Sequence, residues 1–498
     1  MNYYDGIIFD LDGTLWQTRD SYIYAYHKIL ESHPEMKTEY TDQEIISTMG
    51  LTLENVGDIV FSLFDSTKRL EIMIEGLKYS CEYLLSYPST IYPNVIDTII
   101  SLSKTTKLFI VSNCPKEYLD TFFVKSNLKD YFTDYRFLTL DTNKKLNVSN
   151  LVKENKLNRV LMVGDSIDDY EAVKDGSIDY AFCEYGYRKC DNYQYAISDF
   201  KEIIDIISFV NFRKSVLQNA KHYELLKTND AQVVLMKNEF QKDSDYIFGF
   251  WRYSKNKDNN KILFEKLENR VKELNIKELI GPIDYTTWFK YRLAIDNFDW
   301  NLYPDIANDE NQVEFLKSFG YKIKMKYSST LTKLDKNYWK LCKKAKLSDD
   351  YEIKTYKGEV PLHVIKDIYE ISLDCFKDAY LYSPINFDSF QKLYLQGINL
   401  VYPVVVLIYH MNRPIAFSFC YPNLDSKFYV SKTTGIKKLY QSSRVILKLV
   451  DFAYQNMNEL GYDDVLYHFQ NEEKNVDRLW RKNVIRQKHY ALFIKEFK

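Results

Sequence analysis

Short, uninterrupted hydrophobic runs alternate with helical patterns over the first 208 residues. The runs lie at 3–11 (YYDGIIFDL), 107–112 (KLFIVS), 159–163 (RVLMV) and 178–182, and helical segments include 116–125 and 148–155. Unalternated hydrophobic strands separated by helices are typical of a parallel sheet that is buried on both faces. We therefore predict an α/β fold, in which ligands bind at the carboxyl ends of the strands.

The pattern changes after about residue 210. Strands are predicted at 231–237, 246–252 and 276–280, with a helix at 260–274. A similar order then recurs: a helix at 362–376, strands at 404–410 and 414–422, a helix at 444–460 and a strand at 464–467. The two halves, 211–345 and 346–498, have matched lengths and element order, which predicts a duplicated α/β unit.

Acidic residues follow two of the predicted N-terminal strands. Asp10 and Asp12 are two apart at a strand end, and Gly13 then allows a sharp turn. Asp165 and Asp169 are four apart and would share one face if a helix begins there. Carboxylates gathered in this way repel each other, and a divalent cation such as Mg²⁺ relieves the repulsion. The alternatives are a surface turn for the first pair and helix capping for the second.

Two further elements carry complementary chemistry. Ser112 and Asn113 place a hydroxyl and an amide directly after a buried strand, and Lys144-Lys145 precede a predicted helix. Taken alone, the first is explained by a helix cap and the second by a solvated charge pair.

The four elements together resemble the haloacid dehalogenase (HAD) superfamily over about residues 5–208. The segments FDLDGTLW, IVSNC, KKLNV and VGDSIDDYEA are similar to the phosphoglycolate-phosphatase-type branch. The resemblance implies a Rossmann-like HAD core, with a helical cap inserted at about 17–88.

The resemblance also implies roles for these residues in phosphoryl transfer. Asp10 would be the nucleophile, and Asp12 the general acid and base. Ser112 and Asn113 would hold the phosphate, and Lys144, rather than Lys145, would neutralise charge. Asp10, the backbone carbonyl of Asp12, Asp165 and Asp169 would bind Mg²⁺.

Dehalogenase members of this superfamily do not need the second aspartate or the metal-binding acids, so their presence here favours phosphoryl transfer. One departure is Asp168, where close relatives often carry Gly. The substrate cannot be read from the cap sequence.

The C-terminal region resembles tandem proteins of the acyl-CoA-dependent N-acetyltransferase (GNAT) fold. The resemblance rests on 279–298, 315–323, the hairpin VVVLIYHMNRPIAFSFCYP, the segment NVDRLWRK and the closing YALFIKEF. It predicts GNAT-like units at 209–345 and 346–498, after a HAD-like phosphatase domain at 1–208. CoA would be held near Gln441, Arg444 and Asn475. Arg444 and Ile446, however, fill positions where the family usually has small residues.

Three functional hypotheses follow. The first is a Mg²⁺-dependent hydrolase of a small phosphorylated metabolite, fused to a GNAT-like acyltransferase module. The second is chiefly an acyltransferase that uses an acyl-CoA or acyl carrier protein, with the HAD-like part releasing phosphate in a coupled step. Relatives of that kind carry DLDNTLW, and Gly13 breaks the match. The third is a C-terminal module that binds a partner protein without chemistry.

Composition and charge agree with an ordinary cytoplasmic protein. The net charge is −2, from 67 basic and 69 acidic residues among 498, which argues against a nucleic-acid partner. The longest apolar run has ten residues, at 400–409, whereas a membrane span needs about 20. The seven cysteines contain no CxxC pair, so we expect free thiols in a reducing compartment.

Overall fold

The computed structural model describes residues 2–36, 40–49, 51, 53–88, 90–139, 142–175, 178–238, 245–302, 308–395, 402–423, 427–441, 443–474 and 483–497. The chain forms two compact units. One comprises Met1–Gln218, Lys227–Ala231 and Ser254–Asn260, and the other comprises Asn219–Leu226, Gln232–Tyr253 and Lys261–Lys498. The predicted boundary at 208/209 lies within a helix that continues to Leu217.

The N-terminal unit is built from nine helices and six strands in its described residues. The helices are α1 (Arg19–Ser32), α2 (Asp42–Ser47), α3 (Leu53–Val60), α4 (Ser66–Ser86), α5 (Val95–Ser103), α6 (Lys116–Ser126), α7 (Lys144–Glu154), α8 (Ile167–Val173) and α9 (Glu202–Leu217). The strands are β1 (Gly6–Phe9), β2 (Lys107–Val111), β3 (Asp134–Arg136), β4 (Val160–Gly164), β5 (Asp179–Cys183) and β6 (Tyr195–Ile197).

These six strands form one parallel sheet with the order β3-β2-β1-β4-β5-β6. Every residue of β1, β4 and β5 is buried, as the unalternated hydrophobic runs predict for a sheet covered on both faces. After β1, the chain adds β2 and β3 along one edge of β1. It then returns and adds β4, β5 and β6 along the opposite edge, so the strand order reverses at β1. Ligands bind at such a reversal, beyond the carboxyl ends of the strands.

The helices α1 to α4 form the insertion after β1 that the sequence predicts as mostly helical. They enclose a small core of their own, in which Tyr26, Ile29, Ile45, Phe61 and Ile72 are buried. A capping box at Thr41 and Glu44 starts α2, and the Asp65 side chain caps α4. We refer to residues 17–88 as the cap.

In its described residues, the C-terminal unit contains a sheet of twelve strands. The strands are β7 (Ala220–Lys227), β8 (Gln232–Asn238), β9 (Asp245–Arg252), β10 (Glu278–Gly281), β11 (Leu293–Ala294), β12 (Lys322–Lys333), β13 (Tyr351–Lys357), β14 (Val404–His410), β15 (Arg413–Pro422), β16 (Phe428–Ile436), β17 (Asp464–Asn471) and β18 (Val484–Glu496). The helices are α10 (Lys257–Glu273), α11 (Glu310–Ser318), α12 (Lys336–Lys344), α13 (Leu362–Cys375), α14 (Phe387–Leu395) and α15 (Ser443–Glu459).

The sheet contains the same arrangement twice. In the first half, β8 and β9 are antiparallel, α10 follows, and β10 is parallel to β9. In the second half, β15 and β16 are antiparallel, α15 follows, and β17 is parallel to β16. Each half ends on a long strand that pairs within the other half, since β12 pairs with β17 and β18 pairs with β10.

The two halves differ where their parallel strands meet. Beside β9, the backbone N–H of Ile283 donates to the Phe248 carbonyl at 2.9 Å. A Cβ at Gly249 would lie 2.0 Å from the Ile283 carbonyl oxygen, so the chains approach closely there. In the second half, pairing between β16 and β17 ends at Ser431 and Tyr467, although both strands continue. Within the described residues, the parallel strands of the second half therefore part where those of the first half stay in contact.

Across the described residues, no helix combines the length and the apolar character that crossing a bilayer requires.

Candidate active site

The candidate N-terminal site residues follow the carboxyl ends of three adjacent strands. Asp10 and Asp12 follow β1, Ser112 follows β2, and Asp165 follows β4. The Asp10 N–H donates to the Val163 carbonyl at 2.9 Å, which holds the segment after β1 against β4. The order of the parallel strands therefore brings together residues that are more than 150 positions apart.

Three carboxylates and one ammonium form the centre of the site. Carboxylate oxygens of Asp10, Asp165 and Asp169 all lie within 4.8 Å of one another, and all three residues are buried. The Lys144 ammonium lies 2.6 Å from Asp10 Oδ1 and 2.5 Å from Asp169 Oδ1. With all three carboxylates ionised, one lysine leaves this buried cluster with an excess of negative charge.

This excess is visible in the acid–base properties of the site. Burial, together with repulsion from Asp169, raises the pKa of Asp10 well above its ordinary value, and Lys144 opposes the shift. Burial and Asp169 likewise raise the pKa of Asp165 to about 7. Burial alone would lower the pKa of Lys144, but the Asp10 and Asp169 carboxylates raise it above its usual range. A bound cation would favour the ionised carboxylates.

Asp12 has a separate environment from this cluster. Its Oδ1 accepts hydrogen bonds from Trp16 Nε1 at 3.0 Å, Thr18 Oγ1 at 3.0 Å and the Tyr118 hydroxyl at 2.9 Å. Burial raises the pKa of Asp12, and the three hydrogen bonds partly oppose the shift. The surroundings therefore fix the direction of this carboxyl and favour proton uptake, which suits a group that exchanges a proton.

Two glycines allow the backbone to lie against Asp165. A Cβ at Gly13, whose φ is +74°, would lie 2.2 Å from Asp165 Oδ2, and one at Gly186 would lie 2.1 Å from Asp165 Cβ. The next residue, Tyr187, donates its N–H to Asp165 Oδ2 at 2.6 Å. A side chain at either glycine would displace the carboxylate.

Asp169 is held by the start of α8. The N–H and hydroxyl of Ser166 donate to Asp169 Oδ2 at 3.0 and 2.6 Å, and the Asp169 N–H donates to Ser166 Oγ at 3.3 Å. Such a capping box fixes the Asp169 rotamer. Its Oδ1 then faces Lys144, so capping and the candidate site share one side chain.

Ser112 and Asn113 line the same cavity as Asp10, Asp12 and Lys144. The Ser112 hydroxyl accepts from the Cys114 N–H at 3.3 Å. The structure thus brings together all the N-terminal candidates, namely Asp10, Asp12, Ser112, Asn113, Lys144, Asp165 and Asp169.

Two local expectations are wrong. The helix predicted at 148–155 begins at Lys144, so Lys144 lies in its first turn, after an N-cap at Asn143. Asp165 and Asp169 do not share a helix face, because α8 begins at Ile167 and leaves Asp165 in the preceding loop. The neighbouring Lys145 is exposed and pairs with Asp175 at 2.5 Å.

Several contacts at the site carry no signal in the sequence. Tyr118 contacts Asp12 from 106 positions away, and no motif indicates such a contact. Asp168 is half-exposed and pairs with Arg188 at 3.2 Å. Arg188 also donates to the Met49 carbonyl in the cap at 2.5 Å. The additional acid at 168 is therefore neutralised by an arginine that joins core and cap.

The C-terminal candidates do not form a comparable cluster. Gln441 and Arg444 are exposed, and the Gln441 amide donates to the Ile436 carbonyl at 3.3 Å. Asn475 lies outside the described residues. A cavity of about 390 Å³ lies instead where β16 and β17 part, and neither Gln441 nor Arg444 belongs to its described lining.

That cavity is lined by two basic groups, the half-buried Lys432 and the buried His468. Lys432 is the extra residue of a β-bulge between β15 and β16, and its ammonium lies 5.0 Å from the Tyr394 ring centroid. Burial lowers the pKa of Lys432 to about 8. His468 Nδ1 lies 2.9 Å from Ser329 Oγ, and burial and nearby cations lower the pKa of this histidine.

Comparison with known proteins identifies the N-terminal part. Residues 7–183 match the family described as haloacid dehalogenase-like hydrolase. The N-terminal part of the chain therefore contains a hydrolase domain of the haloacid dehalogenase superfamily.

Several solved structures are similar to part of the chain. One is a putative haloacid dehalogenase-like hydrolase from Bacteroides fragilis, at 22% identity and TM-score 0.36, covering 40% of this chain and 99% of that one. Another is a predicted phosphoglycolate phosphatase from Haemophilus somnus, at 20% identity and TM-score 0.38, covering 41% of this chain and 99% of that one. A third is a β-phosphoglucomutase from Clostridium difficile, at 15% identity and TM-score 0.37, covering 43% of this chain and 99% of that one. No curated protein matches the chain.

Proposed function

We propose that the N-terminal unit hydrolyses a small phosphate monoester in the presence of Mg²⁺, through a phosphorylated Asp10. The observation that carries this proposal is the buried cluster of Asp10, Asp165 and Asp169 with Lys144, adjacent to the separately held Asp12. Hard carboxylate oxygens with an excess of negative charge are the donor set that Mg²⁺ prefers.

The residues that would hold Mg²⁺ are Asp10, Asp165, the backbone carbonyl of Asp12, and Asp169 directly or through water. When bound, Mg²⁺ neutralises negative charge on the phosphoryl group and on the nucleophile, which would otherwise repel each other.

The reaction then has two steps. An Asp10 carboxylate oxygen attacks phosphorus, the bond to the ester oxygen breaks, and Asp12 donates its proton to the departing alkoxide. A water molecule next attacks the phosphorus of phospho-Asp10 and gives a proton to Asp12. Inorganic phosphate leaves, and Asp10 and Asp12 regain their starting states. Ser112, Asn113 and Lys144 would hold the phosphoryl oxygens during both steps.

The test is phosphate release by the full chain from a panel of small phosphate esters, with Mg²⁺ and with EDTA. Release should require the metal, and Asp10→Asn should lower kcat/KM at least about a thousandfold, as loss of a nucleophile does. The matched control is Asp130→Asn at an exposed position, which should leave the rate unchanged. Equal release by Asp10→Asn and wild type would refute the proposal.

For the C-terminal unit, we propose two GNAT-like α/β units at 209–345 and 346–498, the second of which binds an acyl-CoA. The specific support is the opening between parallel strands β16 and β17 and its cavity of about 390 Å³. In the described part of the first half, by contrast, the chain after β10 stays bonded to β9 through the Ile283 N–H and the Phe248 carbonyl.

Acetyl-CoA binding to the full chain, measured by calorimetry, tests this second proposal. Ala453 lines the cavity on α15, and Ala453→Trp would fill it. Gln455 is exposed on the same helix, so Gln455→Trp is the matched control. We expect saturable binding that Ala453→Trp abolishes and Gln455→Trp preserves. An absence of binding, or equal binding by both variants, would contradict the proposal. Phosphate release that requires acetyl-CoA would indicate a coupled acyltransfer reaction.

A further inference from the structure

The cavity at the carboxylates continues into the cap and changes character there. It has a volume of about 110 Å³. Its core side is lined by Asp10, Asp12, Ser112 and Lys144, whereas its cap side is mostly apolar. The apolar lining includes Ile29, Ile45, Val60, Phe61, Met73 and Leu77. A phosphate ester whose phosphorus lies at Asp10 would therefore direct its alcohol part into apolar surroundings.

Most polar atoms on the cap side are already partnered; among the described lining residues, the Tyr22 hydroxyl near Asp12 is the exception. The Thr48 hydroxyl donates to the Ile45 carbonyl at 2.7 Å, and the Ser80 hydroxyl donates to Ser21 Oγ at 2.9 Å. The Arg188 guanidinium pairs with Asp168 and the Met49 carbonyl. A substrate hydroxyl placed here would lose its water without gaining a matched partner, which disfavours polyhydroxy substrates.

From this arrangement we infer that the substrate is a phosphate monoester of a small, uncharged, apolar alcohol, with a branched or cyclic group of a few carbons in the cap. The inference rests on the proposed phosphatase function and adds the substrate class to it. The upper limit on size follows from the cavity, whose whole volume, including the carboxylate end, is somewhat smaller than the apolar cavity of about 150 Å³ that accepts benzene. A polyol, a sugar or a second carboxylate would not match this lining.

Three phosphate esters separate the effect of the size of the alcohol part from the effect of its polarity. Methyl phosphate leaves the cap cavity unfilled, isobutyl phosphate fills it with apolar atoms, and glycerol 3-phosphate fills it with hydroxyl groups. Because one methylene in a fitting pocket changes kcat/KM about tenfold or more, isobutyl phosphate should exceed each of the other two by at least about tenfold.

Matched tryptophan variants on one helix locate the effect. Leu77 lines the cavity on α4, and Leu70 on the same helix is 59% exposed. Leu77→Trp should remove the preference for isobutyl over methyl phosphate while methyl phosphate turnover persists. Leu70→Trp should keep that preference. Because methyl phosphate reports the catalytic site itself, its turnover shows that the variant is folded.

Binding gives a readout that is independent of turnover. Calorimetry on Asp10→Asn with MgCl₂ should show tighter binding of isobutyl phosphate than of glycerol 3-phosphate. Hydrolysis with glycerol 3-phosphate preferred, or identical preferences in Leu77→Trp and Leu70→Trp, would overturn this inference and leave the phosphatase function intact. No hydrolysis of any ester and no Mg²⁺-dependent binding would overturn both.

Discussion

The carboxylate site and the cavity between β16 and β17 differ in how their charges are arranged. At the first, three buried carboxylates and one lysine contact each other, and Asp12 is held by three further donors. At the second, a half-buried Lys432 and a buried His468 have no acidic residue beside them in the described lining. This difference is why we propose catalysis at the first site and ligand binding at the second.

The two sites also differ in how closely the residues predicted from the sequence come together. The N-terminal motifs place acids, hydroxyl and lysine at the ends of adjacent strands, and the parallel sheet brings them together. In the C-terminal unit, the duplicated strand order provides an opening, but the side chains predicted to hold CoA are exposed or lie outside the described residues. Substitutions at the two sites test this difference, and they are given from the largest expected effect to the smallest.

Loss of the buried lysine should remove most of the activity. In Lys144→Met, Asp10 and Asp169 lose their cationic partner, and kcat/KM should fall about a hundredfold or more. The matched control is Lys145→Met, since Lys145 is exposed and pairs only with Asp175 among the described ion pairs. That variant should stay within about twofold of wild type. Similar losses in both variants would show that the Lys144 contacts are not functional.

Removing one donor to Asp12 should shift the pH profile. Burial raises the pKa of Asp12, and the hydrogen bond from Tyr118 lowers it. Tyr118→Phe therefore raises this pKa further, so that Asp12 keeps its proton to higher pH. The alkaline limb of kcat/KM should move up by about one pH unit. Tyr131→Phe, at a partly exposed position, should not move it, and an unmoved limb in Tyr118→Phe would exclude Asp12 as the acid.

Removing the Arg188 contacts that join core and cap should have a smaller effect on the kinetics. Arg188→Met removes the pairing with Asp168 and the hydrogen bond to the Met49 carbonyl. We expect KM to rise a few-fold with kcat nearly unchanged, because these contacts lie away from the reacting atoms. Steady-state kinetics on the variant, with the exposed Lys189→Met as control, would measure this. A large fall in kcat would instead place Arg188 at the reaction.

The smallest effect is expected at Arg444. Its side chain is exposed at the start of α15, so Arg444→Met should change the free energy of unfolding by less than about 0.5 kcal/mol. Phosphate release should be unchanged. Denaturant unfolding and the phosphate assay together check this, and a marked loss of acetyl-CoA affinity in the same variant would restore the predicted role of Arg444.

The sequence predicts the parts of the fold that depend on local patterns. Unbroken hydrophobic runs mark β1, β2, β4 and β5, and the strand–helix order marks the duplicated C-terminal unit. Short motifs also indicate which acids, hydroxyl and lysine to consider, because each lies next to a strand end or a helix start.

Contacts between distant segments could not be predicted in this way. The exchange of β12 and β18 between halves depends on pairing across the whole unit, and no local pattern encodes it. The hydrogen bond from Tyr118 to Asp12 and the pairing of Arg188 with Met49 likewise depend on how the cap packs. The sequence does not predict that α7 begins at Lys144, because Lys144 and Lys145 resemble a solvated charge pair. Lys144 is nevertheless buried beside the acids that it neutralises.

The central claim is that Asp10 becomes phosphorylated, and one measurement tests it directly. Asp12→Asn cannot activate water, but p-nitrophenolate leaves without needing a proton. Mixing this variant with p-nitrophenyl phosphate and Mg²⁺ should therefore give a burst of nitrophenolate close to one equivalent per chain. Mass spectrometry of the acid-quenched protein should locate the phosphoryl group on Asp10. Steady turnover with no burst and no modified Asp10 would contradict the account.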